Sequence, residues 1–469
     1  MFCAVTNTLA AGPYYIRDGA TGTTCSDWST ANACDALPAT LERGATYYVA
    51  GGLYPAYTFT TPESGTSVVT VKKATESEHG TGTGWVQSYG TTQAEFASYF
   101  NITRSYFTID GSYRNDANWF DGASYGFKIK ENGNWQHMRI FDPSAARAVS
   151  DIKVKYIYIK AIVGQLPPNP TTGPNNHCYT SGGQPVGPCA INTNTESTLR
   201  RGYRYAFSMV FVEGSNNPFF LRYTVDPLLE YSASLNTSGS SEWHGEVVNR
   251  YYSGEGTRGG GVLRFNHFRN SYNGASGFGE GGSTAVIVVS ETSGIEIYGN
   301  IFEDWVVGNG AIAAGWANRN VRAYNNTFVN GYTVIENANG TVGNVVQFPP
   351  VGITTSGNEA YNNLSLNITN WQGTSGANYA GQATVANNLN ATSPLTLFVN
   401  PAGHDFRLKQ ATSIEGRTLV SGAGQMFHLD IDDKTRDTDL FWDVGAFEFN
   451  ATGNTVPSAP TNLRIVGSP

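Results

Sequence analysis

Ile297-Tyr298-Gly299-Asn300-Ile301-Phe302 is one of five versions of a single phrase. Before it comes Arg264-Phe265-Asn266-His267-Phe268. After it come Ala323-Tyr324-Asn325-Asn326-Thr327-Phe328, Ala360-Tyr361-Asn362-Asn363-Leu364 and Ala386-Asn387-Asn388-Leu389. The equivalent asparagines, 266, 300, 326, 363 and 388, lie 34, 26, 37 and 25 residues apart. A period of about 25 with variable insertions predicts the coils of a parallel β-helix, each turn supplying short strands joined by bends. In such a coil an apolar or aromatic residue points inward and stacks on its equivalent one coil away. Asn tolerates a left-handed bend and can hydrogen-bond neighbouring backbone. Neither the fixed Leu offsets of a leucine-rich repeat nor a propeller's period of about 40 is present. The expectation is an all-β chain, a right-handed single-stranded parallel β-helix with terminal caps. At least eight coils should stack about 4.8 Å apart.

Upstream the repeat blurs, but strands remain legible at Thr46-Tyr47-Tyr48-Val49, Val68-Val69-Thr70-Val71, Tyr106-Phe107-Thr108-Ile109, Phe127-Lys128-Ile129-Lys130 and Lys155-Tyr156-Ile157-Tyr158-Ile159. The chain divides into a remnant of a secretion signal at 1–12, a β-helix over 13–450 and a polar tail at 451–469. Within the β-helix, 165–200 reads as a long insertion and 395–450 as the C-terminal cap.

Composition agrees. Of 469 residues 54 are Gly, 13% are aromatic and only 14% are charged, which suits strands and tight turns rather than helices. The net charge of −8 and the lack of any Lys/Arg run argue against nucleic acid. No stretch approaches the length of a membrane span. Cys25 with Cys34 and Cys178 with Cys189 lie close in sequence in polar surroundings, which predicts two local disulfides and an oxidising compartment. Cys3 is left over in Met1-Phe2-Cys3-Ala4-Val5, which reads as the end of a secretory signal. A secreted, extracellular monomer is expected.

The chain resembles secreted bacterial right-handed β-helix proteins of the pectate-lyase-like superfamily. Tyr15-Ile16-Arg17-Asp18-Gly19 and Arg43-Gly44-Ala45-Thr46-Tyr47-Tyr48-Val49-Ala50 are similar to the N-terminal cap and first coil of that group. The Asn-x-Phe coils resemble its repeats, and Asp443-Val444-Gly445-Ala446-Phe447-Glu448 resembles its C-terminal cap. In Asp432-Asp433-Lys434-Thr435-Arg436, Asp433 stands where that cap often carries Gly. The resemblance implies the fold and an extracellular setting. It leaves activity open, because one scaffold hosts lyases, hydrolases, epimerases, adhesins and tail spikes.

The densest group of chemically useful side chains is Glu242-Trp243-His244-Gly245-Glu246-Val247-Val248-Asn249-Arg250-Tyr251-Tyr252. On a strand, alternate residues share a face, so Glu242, His244, Glu246 and Arg250 should line one side of a coil as catalytic candidates. Trp243, Tyr251, Tyr252, Arg258, Glu280 and Trp316 are candidates for contacting substrate in a groove walled by Gly-rich loops. Two chemistries fit. A uronate lyase would use His244 or Arg250 as base, with Ca²⁺ on Glu246 as an option. A glycosidase would use Glu242 and Glu246 as its carboxylate pair, with Glu280 the third choice. Asp430, Asp432, Asp433, Asp437 and Asp439 could hold calcium, but their place in the cap favours a salt-bridged turn. No metal ligand is assigned. The partner expected is a polysaccharide, acidic polymers included. The alternative is a non-catalytic surface or adhesion protein whose long side binds glycans.

Overall fold

A computed structural model describes residues 12–130, 136–142, 147–161, 189–193, 202–238, 245–251, 259–272, 285–290, 292–307, 310–314, 319–333, 344–347, 357–370, 378–380, 384–391, 394–413, 415–419, 425–436 and 441–449. The chain winds into a right-handed parallel β-helix. Ten strands, from Tyr57–Phe59 to Asn378–Ala380, stack in parallel as one face, one strand per coil. A 23-stranded parallel sheet makes the rest of the wall. Among the described residues the antiparallel strand pairs lie in the C-terminal segment, Phe398–Asn400 with Asp405–Leu408 and Glu415–Arg417 with Phe441–Asp443. Among the described residues no helix is long and apolar enough to cross a membrane.

The core is a set of register-matched rows running along the axis. One row passes from Tyr47 through Val71, Ile109, Val154 and Phe207 to Leu229, then through Leu263, Ile297 and Ala323 to Ala360. A second carries Phe268, Phe302 and Phe328 inward, with ring centroids 5.6 and 4.8 Å apart. Burial of such rows along the whole axis is the main favourable contribution to the fold, because no single coil can bury its own apolar face.

The repeated Asn divides its labour between two residues. The first of each pair bends the chain: Phe265, Gly299, Asn325, Asn362 and Asn387 have φ of 56°, 66°, 49°, 57° and 54°. Gly299 is required twice over, since a Cβ there would lie 2.5 Å from the Phe265 ring. The second residue forms a buried amide ladder. Asn300 Nδ2 donates to Leu263 O (2.9 Å), Tyr298 O (3.1 Å) and Asn326 Oδ1 (3.0 Å). Its Oδ1 accepts from the backbone N–H and the side-chain amide of Asn266. Asn326, Asn363 and Asn388 repeat the pattern, and Asn266 Oδ1 passes it up to Ser232 N (3.0 Å). Ser232 replaces Asn where the sequence repeat fades.

A second row of amides marks the other bend. Asn236, Asn270, Asp304, Asn330 and Asn367 all have positive φ, and Asn330 Nδ2 reaches Asp304 Oδ1 at 2.9 Å. At the N-terminal end Cys25 and Cys34 form the expected disulfide, with Cα atoms 4.8 Å apart. Cys189 is buried and disulfide-bonded, while Cys178 lies outside the described residues.

Two stability predictions follow from buried polar groups. Asn300→Ala strands a backbone N–H and a carbonyl in the wall, so it should cost about 3 kcal/mol or more in urea unfolding. Asn388→Ala, at the half-buried last rung, should cost about 1 kcal/mol. His137 is 1% exposed, and neither ring nitrogen has a partner among the described residues. Burial therefore depresses its pKa from 6.5 to about 4. Its contribution is full above pH 6.5 and is lost as pH falls through the folded value. His137→Leu should flatten the acid limb of a stability–pH curve by about 3 kcal/mol relative to the parent chain.

Candidate active site

The outward rows of the repeat change character along the axis. One reads His267, Ile301, Thr327, Leu364, Leu389, and the next reads Arg269, Glu303, Val329, Leu366, Ala391. In the later coils these rows are apolar or small, and Phe398, Phe406, Leu408, Val444 and Ala446 of the C-terminal segment cover them. The segment is pinned by Ala446 N to Thr327 Oγ1 (2.8 Å), Gly445 N to Asn362 O (2.7 Å) and Met426 N to Tyr298 Oη (3.0 Å). Where the rows become charged the apolar cover ends, and a cleft of about 750 Å³ opens.

Three stretches of chain wall it. The floor is His267 and Arg269 on one strand and Ile301 on the next, with Glu303 of that second strand beneath the two histidines of the cleft. The loop 114–120 forms one side. Arg114 pairs with Asp116 (2.8 Å), donates to Tyr231 O and stacks on Trp119, and Phe120 meets His267 edge-on. The C-terminal segment forms the other side with Asn400, His404, Asp405, Phe406, Arg407, Asp432 and Asp433.

Glu303, 2% exposed, holds two histidines. Oε2 lies 2.8 Å from His267 Nε2, and Oε1 contacts His404 Nδ1. Burial alone would raise the Glu303 pKa, but the two imidazole contacts outweigh it and hold the carboxyl below its ordinary value. His404 follows the turn Pro401–Gly403 with φ of 62°, a left-handed conformation that costs energy in a non-Gly residue. An anionic carboxylate at Nδ1 fixes the proton there, which leaves Nε2 as the basic nitrogen. Arg269 registers with Glu303 but does not pair with it. Its guanidinium lies over the Phe120 ring at 4.2 Å and has no carboxylate partner among the described residues.

Asp432 is the opposite kind of acid. Burial first, and Asp430 second, push its carboxyl up to about 7, against the pull of Lys434 and Arg407. Its Oδ2 accepts no hydrogen bond among the described residues, and Lys434 Nζ stays 3.6 Å away. Asp433 has φ of 59°, the conformation a Gly in that place would adopt, and it accepts a hydrogen bond from Tyr231 Oη. Asp430 organises the turn, accepting from the N–H groups of Asp432 (2.9 Å), Lys434 (2.8 Å) and Glu448 (3.1 Å). Arg436 and Glu448 pair at 3.1 Å nearby. The described part of the Asp cluster is thus a salt-bridged turn. Asp437 and Asp439 lie outside the described residues. Among the described residues no group of three His, Cys, Asp or Glu is placed to hold a metal.

The site expected around residue 244 fares differently. Glu242, Trp243, His244, Tyr252, Arg258, Glu280 and Trp316 lie outside the described residues. So do the side chain of Tyr251 and Cys178. Glu246 and Arg250 are described, and both are buried, at 1% and 0% exposure, rather than facing an open groove. The strand begins only at Val248, so strict alternation does not reach Glu246. Glu246 accepts from Asn249 Nδ2 at 3.2 Å. Arg250 registers with the core residue Val289, and its guanidinium ties together the carbonyls of Leu221, Thr224, Gly259 and Gly260. Its role is to join turns of the coil.

The cleft did leave a trace in the sequence. With the five phrases aligned, His267, Arg269 and Glu303 interrupt rows that are otherwise apolar or small.

Asp432 generates a prediction about stability. A carboxyl whose folded pKa is raised gives stability that is complete below the unfolded value of 3.8 and lost as pH rises through about 7. Asp432→Asn should match the parent chain below about pH 4 and gain on it above pH 7, by up to a few kcal/mol. Thermal unfolding at both pH values checks this.

No family model and no curated protein sequence matches the chain. Among solved structures it is similar to pectate lyase Pel9A, at 11% identity and a TM-score of 0.50, over 94% of this chain and 97% of that one. It is also similar to the PL6 family alginate lyase AlyGC, at 11% identity and a TM-score of 0.30, over 75% and 50% of the two chains. For the GH136 lacto-N-biosidase from Eubacterium ramulus the values are 12%, 0.33, 81% and 68%. At such identities the likeness is one of architecture. Matching the first of these folds almost end to end, the chain is a parallel β-helix.

Proposed function

We propose that the cleft cleaves a polysaccharide by paired acid–base chemistry, with His404 as base and Asp432 as acid. The observation that carries this reading is one cleft uniting a carboxylate-backed histidine with a half-buried carboxyl whose pKa is pushed up to about 7. Bond cleavage at a sugar oxygen requires one group that takes a proton and another that gives one. Trp119, Phe120 and Phe406 line the same cleft and offer faces on which sugar rings can lie. The fold-level likeness to a pectate lyase is in keeping with a carbohydrate substrate, and an extracellular location fits the disulfide at Cys25.

Arg269 tilts the reading toward an acidic glycan. A cleft guanidinium without a carboxylate partner among the described residues is suited to a sugar carboxylate, whose charge grows as the adjacent C–H is deprotonated. In that sequence His404 Nε2 removes the proton α to the carboxylate, Arg269 stabilises the enolate, and Asp432 protonates the departing oxygen. On a neutral sugar the same pair would activate water and protonate the leaving group, giving hydrolysis.

The test is a panel of acidic and neutral polysaccharides, read separately for unsaturated uronate and for new reducing ends. His404→Ala and Asp432→Asn should each lower turnover by about 10²-fold or more. Turnover of the parent chain should fall above about pH 7, as Asp432 loses its proton. Arg269→Ala should reduce cleavage of acidic polymers selectively. Binding without cleavage of any polymer would favour the adhesion reading instead.

A further inference from the structure

The lumen of the coil carries polar atoms that meet no protein partner. Among the described residues, Thr237 Oγ1, Ser271 Oγ and Trp305 Nε1 make no hydrogen bond. Their residues are 0%, 1% and 1% exposed. They are register partners on three consecutive coils, Thr237 with Ser271 and Ser271 with Trp305. Each directly follows a left-handed residue, Asn236, Asn270 or Asp304, which bends the strand. Trp305 belongs to the apolar core, so the row it shares with Thr237 and Ser271 faces the lumen. Ser234 adds a fourth unpartnered hydroxyl on the strand of Thr237, in register with the core residue Phe268.

A buried hydroxyl left alone costs about as much as a lost hydrogen bond, and proteins meet that cost with internal water. The spacing here suits it. Adjacent strands stand about 4.8 Å apart, too far for one hydroxyl to reach the next. Two hydrogen bonds of about 2.8 Å to a shared oxygen, at a tetrahedral angle, span about 4.6 Å. There is also room, because this row has Thr and Ser where its neighbour has the rings of Phe268 and Phe302. The next member of the row is Gly331, where a Cβ would lie 2.0 Å from the Trp305 ring. The indole therefore leans over that coil rather than back over Ser271.

We infer that the lumen holds a file of ordered water molecules, one bridging Thr237 Oγ1 and Ser271 Oγ and another accepting from Trp305 Nε1. These waters are structural members of the wall behind the cleft floor, since Trp305 shares its strand with Glu303. A high-resolution crystal structure of the full chain tests this. The expected result is solvent density within hydrogen-bond distance of both hydroxyls, lost in the isosteric variant Thr237→Val. That variant should melt several degrees lower, and Ser271→Ala should do the same, because each strands a water. No density between the two hydroxyls of the parent chain overturns the inference, whatever the variants do. A Thr237→Val chain that melts at or above the parent temperature also overturns it, since removing an orphaned hydroxyl from a dry lumen relieves a penalty.

Discussion

Among the described residues after 260, each coil hangs on one side-chain amide of the same ladder. Asn300 is hydrogen-bonded to the asparagines of the coils before and after it and to backbone of its own and the preceding coil. A parallel β-helix has no hairpins to set its register, so stacking must be fixed by something that repeats. An amide does this well because its donor and acceptor point in opposite directions along the axis. A one-residue slip would strand a whole column of buried polar groups, and that penalty exceeds what any apolar row could recover. The aromatic rows, the bends and the docking of the C-terminal segment all inherit their spacing from this column.

The cleft uses the opposite strategy, keeping charge where burial disfavours it. Glu303 remains a carboxylate because two imidazoles supply its hydrogen bonds, whereas Asp432 has no such support and holds a proton instead. The deeper of the two carboxyls is thus the ionised one, so partners outweigh depth in setting their charge. Above neutral pH some stability is given up at the second of them, because its carboxyl must ionise where burial disfavours charge.

The fold could be read from the sequence because its repeat is one-dimensional. Ile297-Tyr298-Gly299-Asn300-Ile301-Phe302 and its relatives announce both the period and the inward aromatic, and Phe268, Phe302 and Phe328 stack as that phrase implies. The doubled Asn is less transparent, since residues with identical side chains serve as bend and as ladder. The cleft was nearly invisible, because its walls come from residues near 116, 303, 404 and 432, and only the coil brings them together. At Glu246 and Arg250 the expected open face is instead buried, for two reasons. The strand starts only at Val248, beyond Glu246, and Arg250 lies in register with the core residue Val289, a place its guanidinium can take only because carbonyls of neighbouring turns accept from it.

The assembly of the cleft has a consequence in time. Ribosomes deliver this chain from the N-terminal end, and coils joined only to their neighbours can stack as they emerge. The loop at 114–120 and the floor at 267–303 are therefore in place well before His404 and Asp432 exist. Until those last residues arrive, the apolar rows at Val329, Leu364 and Leu366 also stand uncovered. The same segment then seals the greasy flank and completes the charged cleft, so the cleft closes in the step that makes the surface safe from aggregation.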